Sequence, residues 1–569
     1  MTTGDGTSGS SITTTGKHGI AIFAQSIGGG GGLVRTMTTD QTFDPSKIIV
    51  NPQGRVGDVH GLTLTFGGQN GISGQGGEVR VTTSGPVTTS GLDAHGILAQ
   101  SIGGGGGMAV GGRVTLPPGG TGGAGGASGN GGPVIIQLQT NTTITTNGNG
   151  AYGVLAQSIG GGGGVAGDLS AVGSYQSGTA NAVKANGGDG GAVSITASNA
   201  FVRTFGSYAP AIFAQSIGGG GGLIGYDVPA AGATGIIARG TAGGSGTGGG
   251  VTVSLTGSRV QTFGVGSAGI FAQSAGTSSG PIRISIDRLS EVDGGTPDPK
   301  NPNLRETAAI RLLGGTANQI TNAGGIESIG GLAISADTPR SNTSVTNTGS
   351  IKGDIVLGGG TGSVVDNRPG GVIDAPTTID LSGGVLRNAG TLHVGGAGVI
   401  GRTALTGDLV QGTTGRLVVD TNHATGTADQ LSVQGSVRLG GTVEVHPVVV
   451  ANRAVTVLTA TDGVMVDAGL SSNRMHLFRF DLRQAGGALQ VQPVAEFSAA
   501  ASALGNNQRQ VAGHLQELWN GGARLDAAFT ALAGIGNGAR YGQVLHSLSG
   551  QTVGAIAAFP LWQGSCPAP

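Results

Sequence analysis

Cysteine is almost missing from this chain: Cys566, the fourth residue from the end, stands alone, so neither an intrachain disulfide nor a cysteine-ligated zinc site can form. Charge is scarce as well. Charged residues make up 10 %, and 29 basic against 30 acidic residues leave a formal net charge of −1, which gives no electrostatic grip on nucleic acid or on an anionic membrane. Only five of the basic residues are lysine, scattered from Lys17 to Lys352, and aromatics reach 4 %, so platforms for base stacking are excluded too. Residues 1–6 hold neither the basic segment nor the apolar core of a secretion signal, and no run approaches 18 apolar residues.

What the chain has instead is glycine, 120 of 569 residues, against an average usage of about 7 %. Glycine buries no side chain and loses the most backbone entropy on folding, so a helix-rich or α/β domain of this composition could not stabilise itself. Collagen is excluded because glycine does not recur at every third position and only 20 prolines are present. Disorder is disfavoured: 37 % of the residues are apolar, many of them Val and Ile in alternating runs.

Repetition is the strongest signal. Ala-Gln-Ser occurs five times, with Gln25, Gln100, Gln157, Gln215 and Gln273 spaced by 75, 57, 58 and 58 residues, and a threonine stands 11 positions before each: Thr14, Thr89, Thr146, Thr204 and Thr262. The unit reads as in Val260-Gln-Thr-Phe-Gly264 followed by Ile270-Phe-Ala-Gln-Ser274, and four of the five continue as Ile and five glycines. A third short alternating segment precedes the pair, as in Val193-Ser-Ile195 and Val251-Thr-Val253. Three strands per turn and β-branched residues too short in run for a helix predict an all-β chain, a right-handed parallel β-helix with a short C-terminal helical segment. A 58-residue period allows three coils of about 19 residues or one coil with a long glycine-rich insertion; the variable stretches after each glycine run favour the second.

Composition then divides the chain into residues 1–290, the Ala-Gln-Ser repeats; 291–306, a proline-rich loop; 307–404, coils marked by Asn322, Asn347, Asn367 and Asn388 at intervals of 25, 20 and 21; 405–492, with longer strands and tighter turns; and 493–569. Each asparagine is expected to mark one coil, taking a left-handed corner and laddering its amide between coils. In the last segment Ser498 is a candidate N-cap for a helix carrying Leu504, Val511, Leu515 and Leu518 and ended by Gly521-Gly522, with a weaker helix over 525–532.

In this order, the Ala-Gln-Ser-Ile-polyglycine units, the Asn-x-Gly coils with Gly353-Asp-Ile-Val-Leu-Gly-Gly-Gly, the block from Asp429 to Val445, and Asn507-Gln-Arg-Gln-Val-Ala512 with Leu548-Ser-Gly-Gln551 resemble the passenger of a bacterial autotransporter (type V secretion). The resemblance implies that 405–492 is similar to the family's autochaperone region and 493–569 to the linker before the translocator barrel. It also implies a non-enzymatic stalk or adhesin at the cell surface, in the outer membrane or secreted, serving surface contact, aggregation or biofilm. Its partners would be host or bacterial surface glycans or proteins, or further copies of itself; no nucleic acid is expected, and membrane contact only through a barrel outside this chain. The family's signal sequence and barrel are not in this sequence, which opens inside a repeat, so a fragment or truncated product is expected, and a non-secreted truncated gene fragment is one alternative reading.

The chemistry sought in the residues is mostly not found, and no catalytic, cofactor-binding or metal-ligating residue is assigned. The glycine runs lack the Gly-Lys-[Ser/Thr] of a phosphate loop, since Leu33 and Met108 follow Gly32 and Gly107, and are expected to be flexible turns or extruded loops. Gly187-Gly-Asp-Gly-Gly191 is not iterated as calcium repeats require, and nine histidines without ligand spacing are expected to be exposed. Gly6-Thr-Ser-Gly9 and Gly276-Thr-Ser-Ser279 lack the acid and base blocks of a serine hydrolase. An alternative reading, a β-helical enzyme acting on polysaccharide, rests on Asp366, Asp374 and Asp380, whose separations could pair two carboxylates on adjacent coils. Within the repeat, Ile, Ala and Ser are expected to face the coil interior and Phe with Gln the opposite side, the Phe or Leu packing beneath the glycine stretch, with Gln replaceable at little cost.

Overall fold

The computed structural model describes residues 2–3, 11–29, 31–35, 74–104, 106–110, 129–167, 187–224, 243–297, 299, 305–337, 341–360, 362–396 and 398–549. The chain divides into two compact units, Met1–Arg387 and Asn388–Pro569.

The first unit is a parallel β-helix. One coil is made of Val193–Ser198, Phe201–Thr204 and Ile212–Ile217, and each strand pairs in parallel with the strand one repeat away: Val193↔Val251, Val202↔Val260, Ile212↔Ile270. The shift is the sequence period itself, so each 58-residue repeat contributes one three-stranded coil. Beyond the repeats the same path continues without the insertion, through Ile282–Ile286, Glu291–Gly294 and Ile310–Gly314 and then Asn318–Asn322 and Gly325–Asp337. Asn322 pairs with Asn347 and Asn347 with Asn367, giving one asparagine per coil as expected.

The glycine runs are not extruded loops. Each makes a turn and then a strand, and Gly31–Arg35, Gly106–Val110, Gly163–Gly167 and Gly221–Ile224 form a separate four-stranded parallel sheet. Gly163 and Gly164 take φ of 143° and 146°, open only to glycine in practice, and a Cβ on Gly163 would lie 1.8 Å from the carbonyl oxygen of Gly221. The run is therefore a strand that no other residue could build at this spacing. The rest of each expected insertion, residues 36–73, 111–128, 168–186 and 225–242, lies outside the described residues.

This small sheet explains why alternation fails in Ile-Phe-Ala-Gln-Ser-Ile: all six residues of Ile212–Ile217 are buried. Ile212 and Ala214 belong to the coil interior, while Leu98, Leu155, Phe213 and Phe271 cluster with Tyr152 and with Leu223 of the glycine-rich sheet. The rings of Phe213 and Phe271 stack at 4.7 Å and 8°, the spacing of successive coils.

The second unit begins with further parallel coils, in register Arg402↔Gln430, Leu409↔Val437 and Leu417↔Val443. Parallel stacking ends where the hairpin Phe478–Ala485 and Ala488–Ala495 pairs antiparallel with Val455–Ala460. Among the described residues four helices follow: α1 (Phe497–Ala500), α2 (Asn506–Asn520), α3 (Asp526–Ala533) and α4 (Gly538–Leu548). Phe478, Phe497, Trp519, Phe529 and Tyr541 form their shared core, and Val450 N–H donates to Thr530 Oγ1 at 3.0 Å, so the helices cover the end of the stack. Ser498 lies inside α1 rather than capping the longer helix, which starts after Gly505, where Gln508 Oε1 accepts the Gly505 N–H at 3.0 Å. Gly521 ends α2 as expected. The additional helix α4 is capped by Asn537, whose side chain accepts from Arg540 N at 2.9 Å.

Gly206 gives a direct test of coil spacing. A Cβ there would sit 1.8 Å from the Gly148 carbonyl oxygen, in a column that repeats at Gly148 and Gly264. Gly206→Ala should destabilise this coil by about 3 kcal/mol or more, read as faster hydrogen exchange in 143–146 and 201–204 with the second unit unchanged.

Candidate functional site

Every constant polar residue of the repeat is used to join coils or corners. The threonine 11 positions before each glutamine closes its corner: Thr146 Oγ1 donates to Ala151 O at 2.5 Å, and Thr262 Oγ1 to Ser267 O at 3.1 Å. The motif serine pins the entry to the first strand of the next coil, Ser158 Oγ donating to Gly132 O at 2.8 Å and accepting from Gly191 N at 2.7 Å. The glutamines form one amide ladder: Gln25 donates to Gln100 (2.6 Å), Gln100 to Gln157 (2.9 Å), Gln157 to Gln215 (2.6 Å) and Gln215 to Gln273 (2.7 Å). Gln100, Gln157 and Gln215 are fully buried, so the expected tolerance of glutamine replacement is corrected: a buried amide removed leaves its neighbours' donor and acceptor unpaired. Asparagine repeats the device further on, Asn322 donating to Asn347 at 2.8 Å and Asn347 to Asn367 at 2.9 Å. None of these three is among the positive-φ residues; the amide, not a left-handed corner, fixes their place.

Left-handed corners occur elsewhere, and there the structure gathers a cluster unseen in the sequence. His18 and Asp93, at φ of 55° and 48°, occupy the same corner of successive coils, with His18 Nδ1 3.7 Å from Asp93 Oδ2 and both side chains nearly buried. His95 accepts the Tyr152 N–H on Nδ1 at 3.1 Å, and the two rings are 5.1 Å apart. Burial, with His18 nearby, holds the His95 pKa down to about 3, and burial pushes the Tyr152 hydroxyl up. The expectation of exposed histidines is thus wrong for His18, His95 and the fully buried His423, whose pKa burial lowers to about 4. The repeat spacing held the signal: 75 residues separate His18 from Asp93 and 57 separate His95 from Tyr152. Enclosed as it is, the cluster offers a proton-sensitive packing contact rather than a reactive surface.

The carboxylates weighed for glycan hydrolysis are not brought together. Asp366, Asp374 and Asp380 lie on three successive strands, Val364–Asn367, Val372–Ala375 and Thr378–Asn388. Asp366 pairs with Arg368 at 2.9 Å, Asp374 stands in register with Lys352, and Asp380 accepts from Ser382 N at 2.9 Å. Asp189 accepts from Thr247 N at 2.7 Å and so stitches coils. Ser278 donates to Thr247 Oγ1 at 3.0 Å, and residues 6–9 lie outside the described residues. In the second unit, His446 stands 3.1 Å from Glu444 and 3.8 Å from Asp420, with Glu444 also bound by Arg416. Asp429, pushed up by burial to about 6, accepts from Asp420 N at 2.6 Å and lends an oxygen to Gly401 N at 2.7 Å. Among the described residues no group of three His, Cys, Asp or Glu is placed to hold a metal ion, and no helix is long and apolar enough to cross a membrane.

The class that this geometry defines is a mostly-β, parallel β-helical repeat protein. No protein-family model matches the chain, and no curated protein matches it in sequence. Among solved structures it is similar to the crystal structure of the Haemophilus influenzae Hap adhesin, at 10 % identity and a TM-score of 0.23, over 73 % of this chain and 59 % of that one. The chain thus spans less than two thirds of that protein's length, and the fold assignment rests on the strand register above.

Two outcomes follow from the buried groups. Gln157→Ala breaks the ladder on both sides and should cost about 1–3 kcal/mol, seen as lost exchange protection in the strands of Gln100 and Gln215. For His95, a folded pKa of about 3 lies below the unfolded value near 6.5, so the native state binds fewer protons in between. Its contribution is complete above pH 6.5 and falls as pH drops toward 3; a pH series of local exchange should show the first coils loosening in that window, and His95→Leu should flatten the slope.

Proposed function

We propose that this chain is an autotransporter-type passenger, displayed at or released from a bacterial surface, where its coils act as a stalk or adhesin for contact with surface glycans or proteins or for aggregation. The observation that carries this reading is the use of the repeat's constant polar residues: threonine, glutamine and serine all serve contacts within or between coils, leaving the outward strand positions free to vary without loss of the fold. Such an architecture suits presenting a surface better than assembling a catalytic constellation, which needs convergent side chains in a pocket. The hairpin and helices that end the parallel stack in the second unit support the likeness of 405–492 to an autochaperone block and of 493–569 to a linker. Strands that end a stack must stop further edge pairing, and antiparallel closure with helical cover does so.

Joining the whole chain to a signal sequence and a translocator barrel in a non-adherent bacterium tests the reading. Protease-accessible display with new attachment to cells or coated surfaces, or new cell–cell aggregation, is expected; efficient display that changes neither overturns the adhesive role.

A further inference from the structure

The second strand of each coil in the first unit carries an outward face whose character changes along the stack. Thr88 and Thr145 are in register on the early coils, Arg203 and Gln261 follow, and then Asp293 and Glu327. At the change stand two rungs of three outward residues each, Phe201, Arg203 and Phe205 beside Arg259, Gln261 and Phe263, with buried Val202, Thr204, Val260 and Thr262 between them. The Phe205 and Phe263 rings stack at 4.9 Å and 12° while remaining 45 % and 43 % exposed, an apolar pair that the fold does not cover. Arg203 is held in place by its neighbours: its guanidinium lies 4.5 Å over the Phe201 ring and its Nε donates to Thr145 Oγ1 at 3.3 Å. Arg259 is largely exposed and only loosely paired, 3.7 Å from Glu291. Gln261 donates its amide to Asp293 at 2.6 Å, and its carbonyl oxygen is by chemistry an acceptor.

We propose that this grid of Phe205, Phe263, Arg203, Arg259 and Gln261 is a binding site for a single carboxylate-bearing sugar residue, such as a terminal uronic acid. The guanidinium groups take the carboxylate, for which a planar fork is suited; the apolar side of the ring covers the phenylalanine pair; and Gln261 takes a hydroxyl. Charge sets the size of the ligand. A polyanion running toward the later coils would meet Glu291, Asp293 and Glu327, the last paired with Lys352 at 3.1 Å, and crowding there is already marked: burial, with Glu291 and Glu327 adding to it, pushes Asp293 up to about 6. An extended peptide has no backbone to pair with, because these strands are hydrogen-bonded to coils on both sides. The inference rests on the adhesive reading above and names the ligand chemistry of one face.

The test is made on the whole purified chain by calorimetric titration with a glucuronate-terminated oligosaccharide and its glucose-terminated counterpart. The acid should bind at least about tenfold tighter, the scale of one charge-assisted hydrogen bond. Arg203→Gln should remove that preference, Phe263→Ala should weaken both ligands, and Thr88→Ala on the same face should change neither, with unaltered circular dichroism in each variant. Equal affinity for the two sugars, no binding of the acid, an acid preference that survives Arg203→Gln, or tighter binding of an acidic peptide at the same residues overturns the proposal. Displayed cells that still attach when carrying Arg203→Gln would remove this site while leaving the adhesive function standing.

Discussion

Close parallel approach of successive coils is the constraint on which the rest of this structure depends. Each strand must satisfy its backbone groups on the coils before and after it, and the spacing of that ladder is fixed at about 4.8 Å. Where two corners meet at that distance there is no room for a Cβ, as at Gly148, Gly206 and Gly264. Where two side chains meet, they are most stable when identical or complementary: glutamine on glutamine, phenylalanine on phenylalanine, asparagine on asparagine. The repeat is therefore the form that a sequence takes when every residue has its own counterpart one coil away.

The same constraint explains why a chain with so many glycines folds. Glycine weakens an ordinary strand because it packs nothing, yet in the four-stranded sheet its missing side chain is the condition for stacking, and Leu223 beyond the run closes over Phe213 and Phe271. Burying that side of the Ala-Gln-Ser strand converts the glutamine amides from solvated groups into a polar column within an apolar cover. A column of this kind is stable only when continuous, since one missing member leaves two unsatisfied groups in a place that water does not reach.

What this constraint leaves over is the outward face of the coils. Interior and corner positions are committed to the stack, and the histidine–aspartate corner at His18 and Asp93 is enclosed with them. Outward positions such as Arg203, Phe263 and Asp293 also touch their neighbours on adjacent coils, but the residue types there differ from coil to coil. A solenoid of this kind separates most of the residues that fix its register from those that face outward, so its surface can change while its register stays fixed.

Much of the fold was legible from spacing alone. Constant intervals between Thr146 and Gln157, or Thr204 and Gln215, define strands, corners and coil period because the register of a parallel stack is a sequence offset. The asparagine coils and the end of α2 at Gly521 were legible for the same local reasons. What only the tertiary structure decided is which second surface covers a strand. Alternation reports one buried face, so the glycine-rich sheet over Phe213 and Gln215, the burial of His95 beside Tyr152, and the separation of Asp366, Asp374 and Asp380 onto three strands were hidden. Periodicity fixes neighbours along the stack; what packs across it depends on where the chain goes between strands, and the linear pattern carries no record of that path.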